Sequence, residues 1–421
     1  MSTDCPYTRR IVDGQLDVLA GDLAAIHIEG VRGAGTTTTA IQRVASVWSL
    51  DEPGPAQVVT ADPDLALAGA TPVLLDGVHR APGLWDAIKR GVDESRVGGQ
   101  FLITGRWTPG EHSGAGRINT IRMRPMTLPE REAGEPTVSL AALLTGEAQI
   151  TGAAEFGLRD YACEVIYGGF PGAQRMHSAV DRFAFRGAYI EQILADVAEV
   201  LSSKTTRPEV ILALLRALAA ASGTTAVLEP SDLVGVRAPS AASLTRHIDA
   251  LSRLHILDEV PAWQPMDVKL PLRVGDSRLH LADPALAAHL TGLGVDELLS
   301  GQRAPGQPDG HASFLSATFE SLAALTVRVF AQASGAEVRH LQTASGKRDI
   351  PLIVESGTYE REAVAFKTHL GPVDDAVVSD LFWLGKKLGP RLVDAVVLTT
   401  TPQAYRRKDG IAVVPLGLLG A

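Results

Sequence analysis

Along the first hundred residues, apolar positions come in short blocks that alternate in kind. Residues 24–28 (AAIHI) form a continuous apolar run, the pattern of a strand buried on both faces. A turn rich in Gly and Thr opens at Gly30, and across 40–48 (AIQRVASVW) the apolar residues return at helical spacing. Further strands are predicted at 57–61 (QVVTA), at 73–75 ahead of Asp76, and at 101–104 (FLIT) ahead of Gly105. Residues 84–92 (LWDAIKRGV) read as an amphipathic helix. Strands alternating with helices predict an α/β unit: a mostly parallel sheet with helices on both faces.

The pattern changes near residue 125, where Pro125, Pro129 and Pro136 mark a transition. Residues 150–205 read as mainly helical, interrupted by GGFPG at 168–172. A third pattern starts at Arg207. Val210, Ile211, Leu214, Leu215 and Leu218 form one apolar helix face, and a short helix is predicted from Ser231. A turn ending in Pro239 and Ser240 then leads into a longer helix, SAASLTRHIDALSRLHIL, followed by a hairpin. That order is the order of a winged-helix unit. Residues 300–312 (SGQRAPGQPDGHA) read as a linker. Beyond them a long amphipathic helix over 314–330 and strands near 338–341, 350–354, 363–366 and 395–399 predict a small α/β domain. The expected partition is 1–130, 131–205, 206–300 and 313–421.

A chain of 421 residues exceeds one hydrophobic core. Its net charge of −9 makes the whole surface a poor match for a polyanion, so nucleic acid would need a local basic patch. Cys5 and Cys163 are the two cysteines, which excludes a cysteine-rich zinc site and a disulfide scaffold. The N-terminus leads into no long apolar run, and no stretch is read as approaching the ~18 apolar residues of a bilayer span. The expectation is a cytoplasmic protein with no membrane partner.

The turn from Gly30 to Thr37 (GVRGAGTT) fits the phosphate-loop pattern GxxxxGK[ST] at every fixed position but one. In such loops glycines let backbone N–H groups wrap phosphates, a lysine contacts the β- and γ-phosphates, and the hydroxyl holds Mg²⁺. The nucleotide-binding candidates are therefore Gly30, Gly33, Ala34, Gly35, Thr36, Thr37 and Thr38. Thr36 stands where the lysine belongs, and Thr37 keeps the metal-binding hydroxyl. The run PVLLDG ends a strand in Asp76, the second metal candidate, and Gly77 follows where a water-polarising glutamate is usual. Arg106 follows the strand at 101–104, where many ATPases with a phosphate loop carry a small polar residue.

These residues carry a resemblance. Residues 24–130 resemble the bacterial and archaeal AAA-type ATP-binding proteins of largely unknown function, whose C-terminal domain is restriction-endonuclease-like. The stretch PVLLDGVHRAPGLWDAIKRGVDESRVGGQFLITG at 72–105 looks like their PVxIDEVQRAPxLxxAIKxxVDExRxPGxFLLTGS. GAGRI with Arg117, RPMTLPERE, GGFP and LSRLHILDEVPAW follow in the family's order, so the likeness spans essentially the whole chain. It implies a P-loop sheet, a helical segment, a winged-helix domain and a small restriction-endonuclease-like domain, with ATP and Mg²⁺ as cofactors.

This chain departs from the family at its chemistry. Lysine becomes Thr36, glutamate becomes Gly77, and the sensor position becomes Arg106. Removing one group that stabilises transition-state charge commonly costs ~10²–10³ in rate, and here a cation and a base are both replaced. Arg32, inside the loop, is a substitute cation whose side chain is expected to face solvent. In the C-terminal domain the resemblance implies a metal-nuclease remnant of Glu320, Asp349 and Lys367. Ala365 stands in place of the second strand carboxylate, so Asp349 is a vestigial metal ligand. Glu355 and Glu362 are the acids near enough in sequence to substitute. Arg237, Arg246 and His247 are the candidate DNA contacts. His27 and His280 lie in apolar runs and read as packed.

Three functions stay open at this point. One is a binding or regulatory protein with an unidentified protein partner and weak or no ATP hydrolysis. The others are a slow ATPase and a DNA-binding regulator acting through the winged helix.

Overall fold

A computed structural model of the chain describes residues 7–81, 83–95, 97–106, 115–202, 207–265, 270–273, 275–307, 313–357 and 362–421. Cys5 and residues 308–312 of the expected linker lie outside them. The chain divides into two compact units, Met1–Arg124 and Pro125–Ala421.

The first unit runs α1 (Ile11–Asp22), β1 (Ala25–Gly30), α2 (Thr36–Ile41), β2 (Ser46–Ser49), α3 (Pro53–Ala61) and α4 (Pro63–Leu67). It continues through β3 (Val73–Asp76), α5 (Leu84–Glu94), β4 (Phe101–Thr104) and β5 (Ile118–Met123). The strands form one sheet in the order β2-β3-β4-β1-β5, and every pairing is parallel. β1, β3 and β4 are the apolar runs of the sequence, and they occupy the buried centre. The parallel α/β class read from the sequence is therefore the class observed. Trp85, Ile88 and Val92 on α5 pack on Leu75, Phe101 and Ile103 of the sheet.

Two local expectations are corrected. The helix expected over 40–48 ends at Ile41, and Ser46–Ser49 is a strand at the sheet edge, paired Ser46 to Val73 and Trp48 to Leu75. Six apolar residues in nine fit either period, and pairing with β3 decides between them. The strand expected over 57–61 is the end of α3. Pro53 begins this helix, a place where its missing N–H costs nothing, and Val59 is buried while Val58 is exposed.

The second unit begins with β6 (Val138–Ser139), α6 (Leu140–Leu144), α7 (Leu158–Tyr167), α8 (Pro171–Gln174), α9 (Ala179–Leu201), α10 (Pro208–Ala220) and α11 (Ala241–Arg253). Between α10 and α11 the predicted short helix is a single 3₁₀ turn, Pro230–Asp232. After α11, antiparallel bridges join Leu257 to Leu281 and Val260 to Arg278, and Thr224 pairs with Leu279. Next come α12 (Pro284–Thr291), α13 (Val295–Leu299), α14 (Phe314–Ala333), β7 (Glu337–Gln342), β8 (Asp349–Glu355), β9 (Ala363–His369) and α15 (Asp375–Leu388). β10 (Leu392–Thr399), β11 (Tyr405–Arg406), β12 (Ala412–Pro415) and β13 (Leu419–Gly420) close the chain. Six strands make a mixed sheet in the order β11-β12-β10-β9-β8-β7. β13 returns to pair with β6, and Gly417 N–H donates to the Tyr161 hydroxyl at 2.9 Å.

The expectation that no segment approaches a bilayer span is also corrected. α14 is long and apolar enough by length and composition. It is a core helix, with Phe314, Phe319, Leu322 and Phe330 all buried.

A side chain at Gly30 has no room, because its β-carbon would lie 2.2 Å from the Met123 carbonyl oxygen on β5. Gly30→Ala is expected to lower stability by roughly 1–3 kcal/mol, the usual scale of overpacking. Urea unfolding checks this: the midpoint falls while its slope holds.

Candidate functional sites

β1, β3 and β4 are parallel neighbours, so the residues that follow them gather at one sheet edge, the edge where α/β sheets bind ligands. Gly30 ends β1. Gly33 and Gly35 turn the chain into α2 with φ of 80° and 104°, values glycine adopts without a β-carbon clash. Ala34 is buried beneath the turn. The first helical hydrogen bond runs from Thr39 N–H to Gly35 O at 2.9 Å. The N–H groups of Thr36, Thr37 and Thr38 therefore precede the internal ladder of the helix.

Asp76, at the end of β3, joins three chain segments. Its Oδ1 accepts from Thr37 Oγ1 at 2.7 Å and also from the Thr104 hydroxyl at the end of β4. A hydroxyl and a carboxylate in contact are the hard-oxygen donors that Mg²⁺ takes, so these residues fit a magnesium–nucleotide in that respect. They lack its cation partner. Thr36 is half-buried and uncharged, and Arg32 is exposed.

Gly77 adds a constraint the sequence does not display. Its φ is 85°, and its N–H donates to Thr104 O at 3.0 Å. A β-carbon would have room, its nearest neighbours being Asp51 N and Oδ1 at 3.6 Å. A glutamate would therefore meet a backbone cost of about 1–2 kcal/mol rather than a clash. Arg106 is half-buried, with its N–H 3.4 Å from His79 Nδ1. Asp51 and His79 border this edge, and the sequence reading missed both. Asp51 follows β2, which was read as helix, and His79 lies within the matched 72–105 stretch at a position where the quoted family pattern has Gln, so it was given no role of its own.

Residues 7–13 brace the turn from behind, again without a sequence signal. Arg10 donates from Nη1 to Ala34 O and from Nη2 to Arg124 O, each at 2.8 Å. The Tyr7 hydroxyl donates to Asp13 Oδ2 at 2.7 Å and lies 2.9 Å from Thr39 Oγ1. Burial, with Asp13 adding to it, pushes the tyrosine pKa up to about 12.

In the second unit, Glu320 on α14 and Asp349 at the start of β8 do come together, but around an arginine. Arg278 is 5% exposed. It donates to Glu320 from Nε at 2.6 Å and from Nη2 at 3.0 Å. It reaches Asp349 from Nη1 at 2.8 Å and from Nη2 at 3.1 Å. Burial opposes the guanidinium charge, but the Glu320 and Asp349 carboxylates outweigh it and raise the arginine pKa. The position between the carboxylates is thus taken by a permanent cation, and these residues do not fit a metal ion. Among the described residues no cluster of three or more His, Cys, Asp or Glu could hold one.

Lys367 turns to Asp380 on α15 at 2.5 Å, and Arg348 binds the same carboxylate at 2.9 Å. Ala365 lies in an apolar cluster with Val378 and Leu381. Glu355 pairs in register with Ala363, at the end of β8 opposite Asp349. Six residues of strand put Glu355 about 20 Å from Asp349. Glu362, next to Ala363, lies at that same far end, so neither acid lies beside Asp349 as a substitute carboxylate.

Arg237 and Arg246 are exposed. His247 is not beside them. It is 8% exposed, with Nδ1 2.5 Å from the Ser243 carbonyl, because its helical position faces inward with Leu244 and Leu251.

A family model described as a domain of unknown function (DUF8612) matches residues 158–297, from α7 into α13. No curated protein matches the chain. Among solved structures the chain is similar to the Walker-type ATPase PABY2304 of Pyrococcus abyssi, at 12% identity and a TM-score of 0.41, over 68% of this chain and 99% of that one. It is also similar to the ORC2 protein of Aeropyrum pernix in ADPNP–ADP complexes, at 14% identity and a TM-score of 0.29, over 71% and 96%. At these scores a functional reading rests on the chain's own residues.

Removing Arg278 strands two carboxylates. Arg278→Met is expected to cost roughly 3 kcal/mol, the lower end for a broken buried pair because Asp349 is 37% exposed. Pairing it with Glu320→Met is expected to recover much of that loss in urea unfolding.

His280, with Nδ1 2.9 Å from Ser321 Oγ, has its pKa pushed down to about 3 by burial first and by Arg278 next. The folded chain keeps this ring neutral while the unfolded chain protonates it below about 6.5. Its contribution is therefore present above pH 6.5 and is lost as pH falls toward 3, by up to ~1.4 kcal/mol per pH unit. In urea titrations across that window, His280→Asn is expected to show a shallower loss of stability than the parent.

Proposed function

We propose that this chain is an AAA-type P-loop protein that binds ATP with Mg²⁺ and hydrolyses it slowly or not at all, serving as a binding or regulatory protein. The observation that carries the reading is the Thr37–Asp76 pair at the mouth of a glycine turn between a parallel strand and a helix. Positive φ at Gly33 and Gly35 supports a turn that gives its backbone to a ligand. When bound, Mg²⁺ would be held by Thr37 and, directly or through water, by Asp76, and it would offset phosphate charge.

Slow turnover follows from what surrounds that pair. Thr36 brings no charge to the phosphates, and Gly77 brings no base. Its left-handed backbone also disfavours placing one there. Asp51, near Gly77 at the same edge, is the carboxylate best placed to support residual hydrolysis.

We extend the same family architecture to the second unit. α10, the bridge at Thr224, α11 and the hairpin of 257–281 are read as a winged helix. α14, the mixed sheet and α15 are read as a restriction-endonuclease-like domain kept for interaction rather than cleavage. Arg278 between Glu320 and Asp349 supports loss of nuclease chemistry. DNA binding through the winged helix is the second reading, favoured by the exposure of Arg237 and Arg246 on that unit. Phosphate contacts there would make binding salt-dependent and sensitive to Arg246→Ala.

A titration with fluorescent ATP, with and without Mg²⁺, tests the first reading. Saturable binding strengthened by Mg²⁺ is expected, with at least tenfold weaker affinity in Thr37→Ala. Thr36→Lys with Gly77→Glu is expected to raise affinity more than hydrolysis. The reading fails if a folded protein shows no saturation at millimolar nucleotide.

A further inference from the structure

The Gly168-Gly169-Phe170-Pro171 turn belongs to no part of the nucleotide site, yet it is held tightly. Gly168 O accepts from Arg131 Nη1 at 2.9 Å and from Gln174 Nε2 at 2.5 Å. Gly169 donates to Asp283 Oδ2 at 2.5 Å and accepts from Met126 N–H at 2.7 Å. A β-carbon would lie 2.7 Å from the Ala285 side chain at Gly168 and 2.3 Å from Met126 O at Gly169. The turn is a rigid wall.

Behind it lie more buried donors than acceptors. Arg186, on α9, is 6% exposed, and its Nε and Nη1 are buried with no hydrogen-bond acceptor among the described residues. Arg131 Nη2 is in the same condition, and His289 Nδ1 is buried with no hydrogen-bond partner among the described residues. Asp283 is the carboxylate nearest in charge to Arg186, but its two oxygens already accept from Gly169 N–H and Ala285 N–H. Arg131 also pairs with Glu164 at 2.9 Å, and Arg182 lies over the Tyr167 ring at 4.0 Å. Arg131 is paired with Glu164, and Arg186 is faced electrostatically by Asp283, yet the Nε and Nη1 protons of Arg186 have no acceptor among the described residues. A guanidinium cannot shed its proton at physiological pH, and a buried unpaired one is costly. Burial accordingly pulls the Arg186 pKa below its ordinary value.

We propose that Arg186, with Arg131 and His289, forms an oxyanion site beneath the glycine turn, taking a phosphate group through the planar donor fork of Arg186. Guanidinium edges match phosphate oxygens two at a time, and the unsatisfied donors of Arg186 favour an anionic acceptor. The phosphate comes either as a free oxyanion or as the phosphoryl end of a nucleotide. This inference does not depend on the nucleotide reading of the first unit.

The test is calorimetric titration with inorganic phosphate at constant ionic strength, alongside thermal unfolding. The expected result is saturable binding that Thr37→Ala leaves unchanged and Arg186→Met weakens at least tenfold, with Arg186→Lys in between. Phosphate is expected to raise the melting temperature of the parent. Arg186→Met, freed of buried donors without acceptors, is expected to melt no lower than the phosphate-free parent and to ignore phosphate. In the Thr37→Ala background, competition by ATP identifies a nucleotide's phosphoryl group as the occupant, and its absence identifies a free oxyanion. The proposal is overturned if the folded parent binds no phosphate, if Arg186→Met binds equally well, or if Thr37→Ala abolishes binding. A failure of Arg186→Met to fold leaves the parent and Arg186→Lys titrations to decide.

Discussion

Asp76 Oδ1 takes the hydroxyls of both Thr37 and Thr104, and the sheet edge of the first unit is organised around that shared acceptor. It fastens the start of α2, the end of β3 and the end of β4 to one atom. Parallel pairing makes this possible, since only strands running the same way bring their ends to one edge. The glycine turn is then shaped from two sides. β5 forbids a β-carbon at Gly30, and Arg10 holds the Ala34 carbonyl from behind. A nucleotide would meet a turn already formed, so little ordering cost would be charged to binding.

The second unit answers its own electrostatic problem differently. Two carboxylates brought together in a protein interior need a counter-charge, and a metal ion is one solution. Here a guanidinium supplied by the segment that bridges Arg278 to Val260 and Leu281 to Leu257 is another. It ties that segment to α14 and β8 within the unit, and it cannot be titrated away at any pH where the chain is folded. The same unit leaves Arg186 with a weaker answer, since Asp283 faces it electrostatically while its oxygens accept from backbone N–H groups. Buried guanidinium donors are thus satisfied in one place and left without acceptors in another.

The arrangement of strands and helices was largely legible in the sequence, because continuous apolar runs and helical spacing report burial directly. Where the two patterns overlap, the reading slipped: AIQRVASVW fitted a helix until β3 claimed Ser46–Ser49 as a strand, and the β-branched pair Val58–Val59 suggested a strand although Pro53 opens a helix. Such segments are decided by partners that lie tens of residues away.

The sequence by itself determined the candidate chemistry of the first unit: a phosphate-loop pattern lacking its lysine and a strand ending in Asp76. Residue identity at fixed local spacing is enough for that, whereas an expected carboxylate at Ala365 came only from the family resemblance. Only the tertiary structure decided how those residues are used. It put Arg278 between Glu320 and Asp349, turned Lys367 to Asp380, buried His247, and set Gly77 in a left-handed conformation. Each of these depends on a contact distant in sequence or on a backbone angle, and neither is encoded in the order of residue types around the motif.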